Sequence, residues 1–172
     1  MIITLTGFMG VGKSTIANSL AKHLYCKSVD LDRLVESDYG KAIGEIFQIG
    51  GENLFRELEE KSLEKLISGN REKVLVISLG GGALISPKNR LLIKHHTYCI
   101  YLKASGETLY KRLIASRKSR PLVAEEKPGA LIETINKLFA EREEGYISCA
   151  TLIVDADSLS VKETVAKIIS SI

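Results

Sequence analysis

The feature that most constrains the fold of this chain is a glycine-rich segment near its start. Residues 7–14 read Gly-Phe-Met-Gly-Val-Gly-Lys-Ser and satisfy the pattern G-x-x-x-x-G-K-[ST] at every specified position. A β-branched run precedes this segment, and apolar residues at helical spacing follow it over residues 14–24. In this strand, loop and helix order, successive backbone N–H groups can cradle phosphates at a helix N-terminus. The segment therefore predicts a phosphate-binding loop in an α/β domain.

Two side chains of the loop have a defined chemistry. Lys13 would reach the β- and γ-phosphates of a nucleotide, and the Ser14 hydroxyl would ligate Mg²⁺. A dinucleotide site is excluded because Thr15 stands where G-x-G-x-x-G needs its third glycine or alanine. A GTPase is disfavoured because Asn-Lys-Leu-Phe at 136–139 lacks the acidic residue of a guanine-reading N-K-x-D motif. Phosphoryl transfer of the kinase type is the leading hypothesis.

Apolar runs and helical patterns alternate along the rest of the chain. The runs at residues 74–79, 98–102 and 152–154 are typical of buried parallel strands. Helical spacing occurs at residues 42–49, 52–68, 87–95, 105–116, 128–144 and 160–171. This alternation predicts a three-layer α/β/α fold with a parallel sheet covered on both faces. We find no repeat or linker, so we expect one domain over residues 1–172.

Length, charge and cysteine content exclude other classes of protein. A chain of 172 residues has room for one core and is too short for a two-lobed kinase. Its net charge of +3 does not favour a nucleic acid or a membrane surface as partner, and its longest uncharged stretch, residues 74–87, is too short to span a bilayer. Three widely spaced cysteines, Cys26, Cys99 and Cys149, disfavour a disulfide framework or a zinc site. We expect a monomer in the reducing cytoplasm.

A cationic segment bounded by prolines interrupts the compact pattern. Residues 111–120 contain five cations and no acid, and Pro121 and Pro128 enclose the polar stretch that follows. A polar loop of this length in a small domain is either a solvated loop or a functional lid. A lid would extend over about residues 113–127.

Two aspartates follow the predicted second strand. Asp30 and Asp32 flank Leu31, and alternation along an extended segment would place both carboxylates on one side of the strand end. One carboxylate could support Mg²⁺, and the other could bind or deprotonate an acceptor hydroxyl. Alternatively, both are solvated and Asp32 caps the next helix.

Two arginines and a glycine run complete the candidate site. Arg142 falls within the apolar stripe of its helix, while Arg56 lies at the edge of another stripe and can pair with Glu59. Inward arginines suit recognition of a carboxylate or phosphate, and a structural ion pair is the alternative for each. The glycines at 80–82 end a predicted strand, which indicates either close approach of an acceptor to the backbone or a flexible turn.

In order and spacing, these motifs resemble those of shikimate kinases, within the nucleoside-monophosphate-kinase-like group of P-loop enzymes. The resemblance covers essentially the whole chain, and its motifs are G-F-M-G-x-G-K-S-T at 7–15, D-x-D at 30–32, G-E-x-x-F-R-x-x-E at 51–59, G-G-G at 80–82, R-P-L at 120–122 and R-x-x-x-Y at 142–146. The chain departs from the family at Glu144 and Gly145, where many members have Pro-Leu. It also lacks a proline in the adenine-loop region at 156–160.

The resemblance implies transfer of the γ-phosphoryl of MgATP to the 3-hydroxyl of shikimate, on the pathway to chorismate and the aromatic amino acids. It implies a five-stranded parallel sheet in the order 2-3-1-4-5 and a substrate-binding helical part over about residues 32–60. The phosphates would be wrapped by Gly10, Val11, Gly12, Lys13, Ser14 and Thr15. Ser14 would ligate Mg²⁺, with Asp30 supporting the ion through water.

The resemblance also assigns roles around the acceptor. Asp32 would hold the shikimate hydroxyls, as a base or by positioning alone. The shikimate carboxylate would be bound by Arg56 and Arg142, and Gly81 would contact shikimate through its backbone. Arg112 would stack on adenine, and Arg120, carried in by the lid, would stabilise charge in the transition state.

Two other functions stay open at this stage. A related small-molecule kinase, for example one for gluconate, would share the phosphate loop and the lid. A binding module gated by a nucleotide would use the same loop without phosphorylating a small molecule.

Overall fold

Five parallel strands form the centre of the fold in the computed structural model, which describes residues 1–115 and 128–172. The strands are β1 (Ile2–Thr6), β2 (Lys27–Asp30), β3 (Leu75–Ser78), β4 (Tyr98–Lys103) and β5 (Leu152–Asp155). Their order in the sheet is β2-β3-β1-β4-β5, and each neighbouring pair is parallel. The predicted strand order and parallel sheet are confirmed.

Seven α-helices connect and flank these strands within the described residues. They are α1 (Lys13–His23), α2 (Leu31–Tyr39), α3 (Ile43–Ser68), α4 (Pro87–His96), α5 (Gly106–Ala115), α6 (Pro128–Cys149) and α7 (Val161–Ile169), with a 3₁₀ turn at Ala83–Ile85. Gly51, with φ 66° and ψ −165°, breaks the helical conformation within α3 and separates the two helical segments predicted there. Helix α6 continues past the predicted end at residue 144, because Tyr146 and Cys149 extend its buried face.

The central strands are buried on both faces. Ile3, Thr4 and Leu5 are consecutive residues of β1, and none of them is exposed to solvent. Since successive side chains of a strand point to opposite faces of the sheet, both faces of β1 are covered. This burial explains why β3 and β4 are continuous apolar runs rather than alternating ones. The prediction of a buried strand at residues 152–154 is wrong for one face, because β5 lies at the edge of the sheet and its Ile153 is 46% exposed.

Parallel pairing brings several loops to one edge of the sheet. In register, Leu5 of β1 lies opposite Ser78 of β3, and Ser78 lies opposite Asp30 of β2. The loop after β1, the start of α2 and the glycine turn after β3 therefore meet at the carboxyl edge, where open α/β sheets bind ligands. No helix within 1–115 or 128–172 is long and apolar enough to cross a membrane.

Candidate active site

The phosphate-binding loop joins β1 to α1 and depends on glycine at defined positions. Gly7 has φ 137°, and a Cβ there would lie 2.5 Å from the carbonyl oxygen of Leu102. Gly12 has φ 105° and precedes the first residue of α1. Both conformations are costly for residues with a side chain. At these two positions no side chain covers the loop backbone, so an anion can approach the N–H groups at the helix N-terminus.

Lys13, the first residue of α1, turns its ammonium back into the loop. Its Nζ donates to the carbonyl oxygens of Gly7 at 2.8 Å and Phe8 at 3.0 Å, and the residue is 8% exposed. A charged amine that is nearly buried is tolerable because these oxygens replace water. The loop therefore holds a fixed positive charge beside its N–H groups.

The Ser14 hydroxyl connects the phosphate loop to the next two strands. It donates to Asp30 Oδ2 at 2.7 Å and lies 3.2 Å from the Ser78 hydroxyl. The set of two hydroxyls and one carboxylate has the oxygen chemistry that Mg²⁺ prefers. Ser78 was not identified from the sequence, although a polar residue at the end of a buried strand was an available signal.

The two aspartates belong to different elements, which corrects the prediction of one extended segment. Asp30 ends β2 and caps α2, because its side chain accepts from the Arg33 N–H. Asp32 is already the second residue of α2, so the alternative that Asp32 caps this helix is wrong. Even so, the two carboxylates are close enough for the negative charge of Asp30 to act on the Asp32 carboxyl.

The Asp32 carboxyl is more basic than an ordinary aspartate. Burial raises its pKa most, and the negative charge of Asp30 raises it further, while Lys13 and Arg56 oppose this rise. The positive charges of Lys13 on α1 and Arg56 on α3 therefore both act on the Asp32 carboxyl. A half-buried carboxylate with a raised pKa, near the carboxyl edge of the sheet, is a candidate for accepting a proton.

Arg56 and Glu59 form the predicted ion pair on α3. Arg56 Nη1 donates to Glu59 Oε2 at 2.7 Å, and Nη2 donates to Glu52 Oε1 at 3.0 Å. The Glu59 side chain is fully buried, whereas that of Arg56 is 20% exposed. Burial raises the pKa of Glu59 to about 7 against the opposing effect of Arg56. Among the described residues, Glu59 Oε1 has no hydrogen-bond partner.

The glycine turn after β3 packs against three of these charged groups, Asp32, Glu59 and Arg56. A Cβ at Gly80 would lie 2.7 Å from Asp32 Oδ1 and 2.8 Å from Glu59 Oε1. A Cβ at Gly82 would overlap the Arg56 guanidinium, and one at Gly81 would lie 3.2 Å from the backbone nitrogen of Met9. Close approach, rather than flexibility, therefore explains the three glycines.

Arg142 extends from α6 toward Phe8 of the phosphate loop. Its guanidinium carbon lies 5.8 Å from the centre of the Phe8 ring, and its Nε is buried with no hydrogen-bond partner in the described parts of the chain. Four residues on, the Tyr146 hydroxyl donates to the Gly81 carbonyl. The buried Nε and the Phe8 contact thus confirm the inward placement of Arg142.

A second cleft lies behind the phosphate loop. Gly10, Gly12 and Thr15 line one side of it, and Ala156, Leu159 and Val161 line the other. Arg112 joins the two sides, since its Nη1 donates to the Val11 carbonyl at 3.0 Å and its Nη2 to the Ala156 carbonyl at 2.8 Å. Five of the predicted nucleotide residues therefore line one cleft: Gly10, Val11, Gly12, Thr15 and Arg112.

The described structure brings most predicted site residues together. Phosphate-loop residues, both aspartates, both inward arginines and Gly81 meet at the carboxyl edge of the sheet. Arg120 and most of the predicted lid, residues 116–127, lie outside the described residues. Glu59 is predicted only as the ion-pair partner of Arg56, and Tyr146 only as a motif residue; the structure adds the close approach of Glu59 to Gly80 and the bond from Tyr146 to Gly81.

Comparison with known proteins identifies the shikimate kinase family. The family model described as shikimate kinase matches residues 9–172. A shikimate kinase of Chlorobium chlorochromatii is 40% identical over 172 residues, which cover 97% of this chain and 88% of that protein. A shikimate kinase of Enterococcus faecalis is 36% identical, with 99% of this chain and 97% of the relative covered.

Solved structures agree with the sequence comparisons. The crystal structure of shikimate kinase from Bacteroides thetaiotaomicron has a TM-score of 0.92 at 30% identity and covers 99% of this chain and 97% of that one. Shikimate kinase from Acinetobacter baumannii in complex with shikimate has a TM-score of 0.88 at 30% identity, with coverage of 99% and 91%.

Proposed function

This chain belongs to the shikimate kinase family, and from that premise we propose that it transfers the γ-phosphoryl of MgATP to the 3-hydroxyl of shikimate. The products are shikimate 3-phosphate and ADP, on the route to chorismate and the aromatic amino acids. The observation that carries the proposal is the meeting of a phosphate loop with an acid, Asp32, and two inward arginines at one edge of the sheet. We expect a cytoplasmic monomer, in which the free cysteines stay reduced.

The donor side is formed by the phosphate loop. The N–H groups of residues 10–15 and the Lys13 ammonium would hold the phosphates of ATP. Ser14 would ligate Mg²⁺ and Asp30 would support it through water, since this hydroxyl and carboxylate are 2.7 Å apart and match the oxygen preference of the ion. When bound, Mg²⁺ neutralises charge on the β- and γ-phosphate oxygens.

The acceptor side is formed by α2, α3, α6 and the glycine turn. Arg56 and Arg142 would bind the shikimate carboxylate. The Arg142 Nε, which has no hydrogen-bond partner among residues 1–115 and 128–172, is a buried donor that an anionic ligand would satisfy. Gly81 would contact shikimate through its backbone. Asp32 would hold the ring hydroxyls near the phosphate loop, where Lys13 already acts on it.

In the reaction, the 3-hydroxyl oxygen of shikimate bonds to the γ-phosphorus as the bond from that phosphorus to the β–γ bridging oxygen breaks. ADP leaves with the electrons of that bond. The hydroxyl proton passes to the Asp32 carboxylate, whose raised pKa makes it a better acceptor than an ordinary aspartate. Arg120 would stabilise the spreading negative charge, and Arg112 would support adenine beside the second cleft.

The test is a coupled assay of ADP release with a panel of acceptors. We expect shikimate to be turned over with a kcat/KM at least about a thousandfold above that of gluconate, because two arginines are matched to its carboxylate and ring geometry. Equal or better turnover of gluconate would favour the related kinase. Rapid ADP release that is independent of any acceptor would favour the nucleotide-gated module.

A further inference from the structure

The side chain of Tyr146 makes a contact that the proposed reaction does not use. Its ring is buried, with 1% exposure, and packs against the Tyr101 ring at a centroid distance of 5.3 Å. Its hydroxyl lies beyond this apolar contact and donates a hydrogen bond to the Gly81 carbonyl. One tyrosine of α6 is thereby tied to the turn that the acceptor would touch.

The hydrogen bond from Tyr146 fixes the one carbonyl among Gly80, Gly81 and Gly82 for which the described residues supply no backbone N–H donor. The Gly80 carbonyl accepts from the Ala83 N–H at 3.1 Å, and the Gly82 carbonyl accepts from the Ile85 N–H at 3.0 Å. The peptide between Gly81 and Gly82 is instead fixed through Tyr146. Because glycine rotates freely about φ and ψ, this peptide would otherwise have several orientations.

Both arginines of the acceptor side are linked to this peptide. Gly82 packs against the Arg56 guanidinium so closely that a Cβ would overlap it. On the other side, Arg142 lies one helical turn before Tyr146 on α6, and the positive charges of Arg142 and Arg56 both act on the Tyr146 hydroxyl. Tyr146 is therefore a junction between the two arginines and the glycine turn.

Gly145 allows this junction to form. A Cβ at Gly145 would lie 3.0 Å from the Leu84 carbonyl oxygen, so the α6 backbone approaches the turn more closely than a larger residue would permit. The glycine is one of the positions at which the chain departs from the family pattern. Here, the close approach brings the Tyr146 hydroxyl within reach of Gly81.

We propose that Tyr146 is a positioning residue, which holds the Gly81–Gly82 peptide and Arg142 so that both arginines meet the acceptor carboxylate at a fixed spacing. This inference rests on the proposed function. Tyr146 need not touch shikimate, since it acts through the peptide and the arginine that do.

The test is the Tyr146→Phe variant, with Tyr101→Phe as the matched control. Both variants remove one hydroxyl from a buried, stacked tyrosine, but the Tyr101 hydroxyl has no hydrogen-bond partner in the part of the chain described. For Tyr146→Phe we expect the KM for shikimate to rise about tenfold, the scale of one buried hydrogen bond, with the KM for ATP unchanged. Tyr101→Phe should leave both values within about twofold of the parent's.

Two further measurements separate positioning from general stability. A shikimate analogue whose carboxylate is replaced by hydroxymethyl should have the same KM with Tyr146→Phe as with the parent. Gly145→Ala keeps the tyrosine and suits a helix, but its Cβ would move α6 away from Leu84, so it should raise the shikimate KM several-fold while leaving the KM for ATP unchanged. This second variant decides the question if Tyr146→Phe does not fold.

An unchanged shikimate KM in a folded Tyr146→Phe variant would overturn the inference. An equal rise in both substrate KM values would also overturn it, because that is the effect of a merely structural role. If the parent enzyme does not turn over shikimate at all, the proposed function has failed instead, and the acceptor panel shows this before any variant is made.

Discussion

The buried carboxylate of Glu59 should make the stability of the protein depend on pH in a specific range. Burial raises its pKa from an ordinary 4.5 to about 7, and its side chain is fully buried. A carboxyl whose pKa is raised by folding stabilises the protein fully below the unfolded value and loses that contribution as pH rises through the folded value. At about 1.36 kcal/mol for each pKa unit, the loss between pH 4.5 and 7 amounts to about 3 kcal/mol.

Glu59→Gln removes this ionisation while keeping the size of the side chain and an oxygen that can accept from Arg56. The free energy of unfolding should be measured by urea denaturation at several pH values between 4.5 and 8. The parent should lose about 3 kcal/mol relative to the variant as pH rises to 7, with no further relative loss above it. The matched control is Glu57→Gln, at an exposed position on the same helix, and it should run parallel to the parent. Parallel curves for the parent and Glu59→Gln would refute the reasoning.

Three further predictions concern catalysis. Lys13→Ala should lower kcat by about a thousandfold or more, because it removes the cation that neutralises the phosphates, and retained turnover in a steady-state assay would contradict this. Arg56→Ala should raise the shikimate KM about 10- to 100-fold with little change in the KM for ATP, whereas the exposed Arg33→Ala should change neither. The kcat/KM for shikimate should fall at low pH, as Asp32 takes up a proton near its raised pKa, which lies above the ordinary value of 3.8. Asp32→Asn should abolish this fall at low pH. If the fall persists in the variant, another group causes it.

Much of the fold could be predicted because local rules and the final structure agree. The motif of the phosphate loop predicts the strand before it and the helix after it. The continuous apolar runs predict strands that are buried on both faces of the sheet. Strand order came from the family resemblance, since periodicity alone does not fix which strands are neighbours. The extended segment predicted through Asp32 ends at Asp30 instead, because Asp30 caps α2 and Asp32 already lies inside the helix.

The site was predicted less completely, because several of its contacts join residues far apart in the chain. The helical spacing of Arg56 and Glu59 predicted their ion pair, which is local. The approach of Glu59 Oε1 and Asp32 to Gly80 depends instead on how α2, α3 and the glycine turn pack. The bond from Tyr146 to Gly81 joins residues 65 apart in the sequence, and no periodicity could indicate it.

The most direct test of the central claim is to identify the phosphorylated product. Parent enzyme, ATP, Mg²⁺ and shikimate should be incubated together, and the products followed by phosphorus NMR. We predict one new phosphomonoester on the 3-oxygen of shikimate, formed in equal amount to ADP. ADP with only inorganic phosphate, or a phosphomonoester at another oxygen, would contradict the proposed reaction.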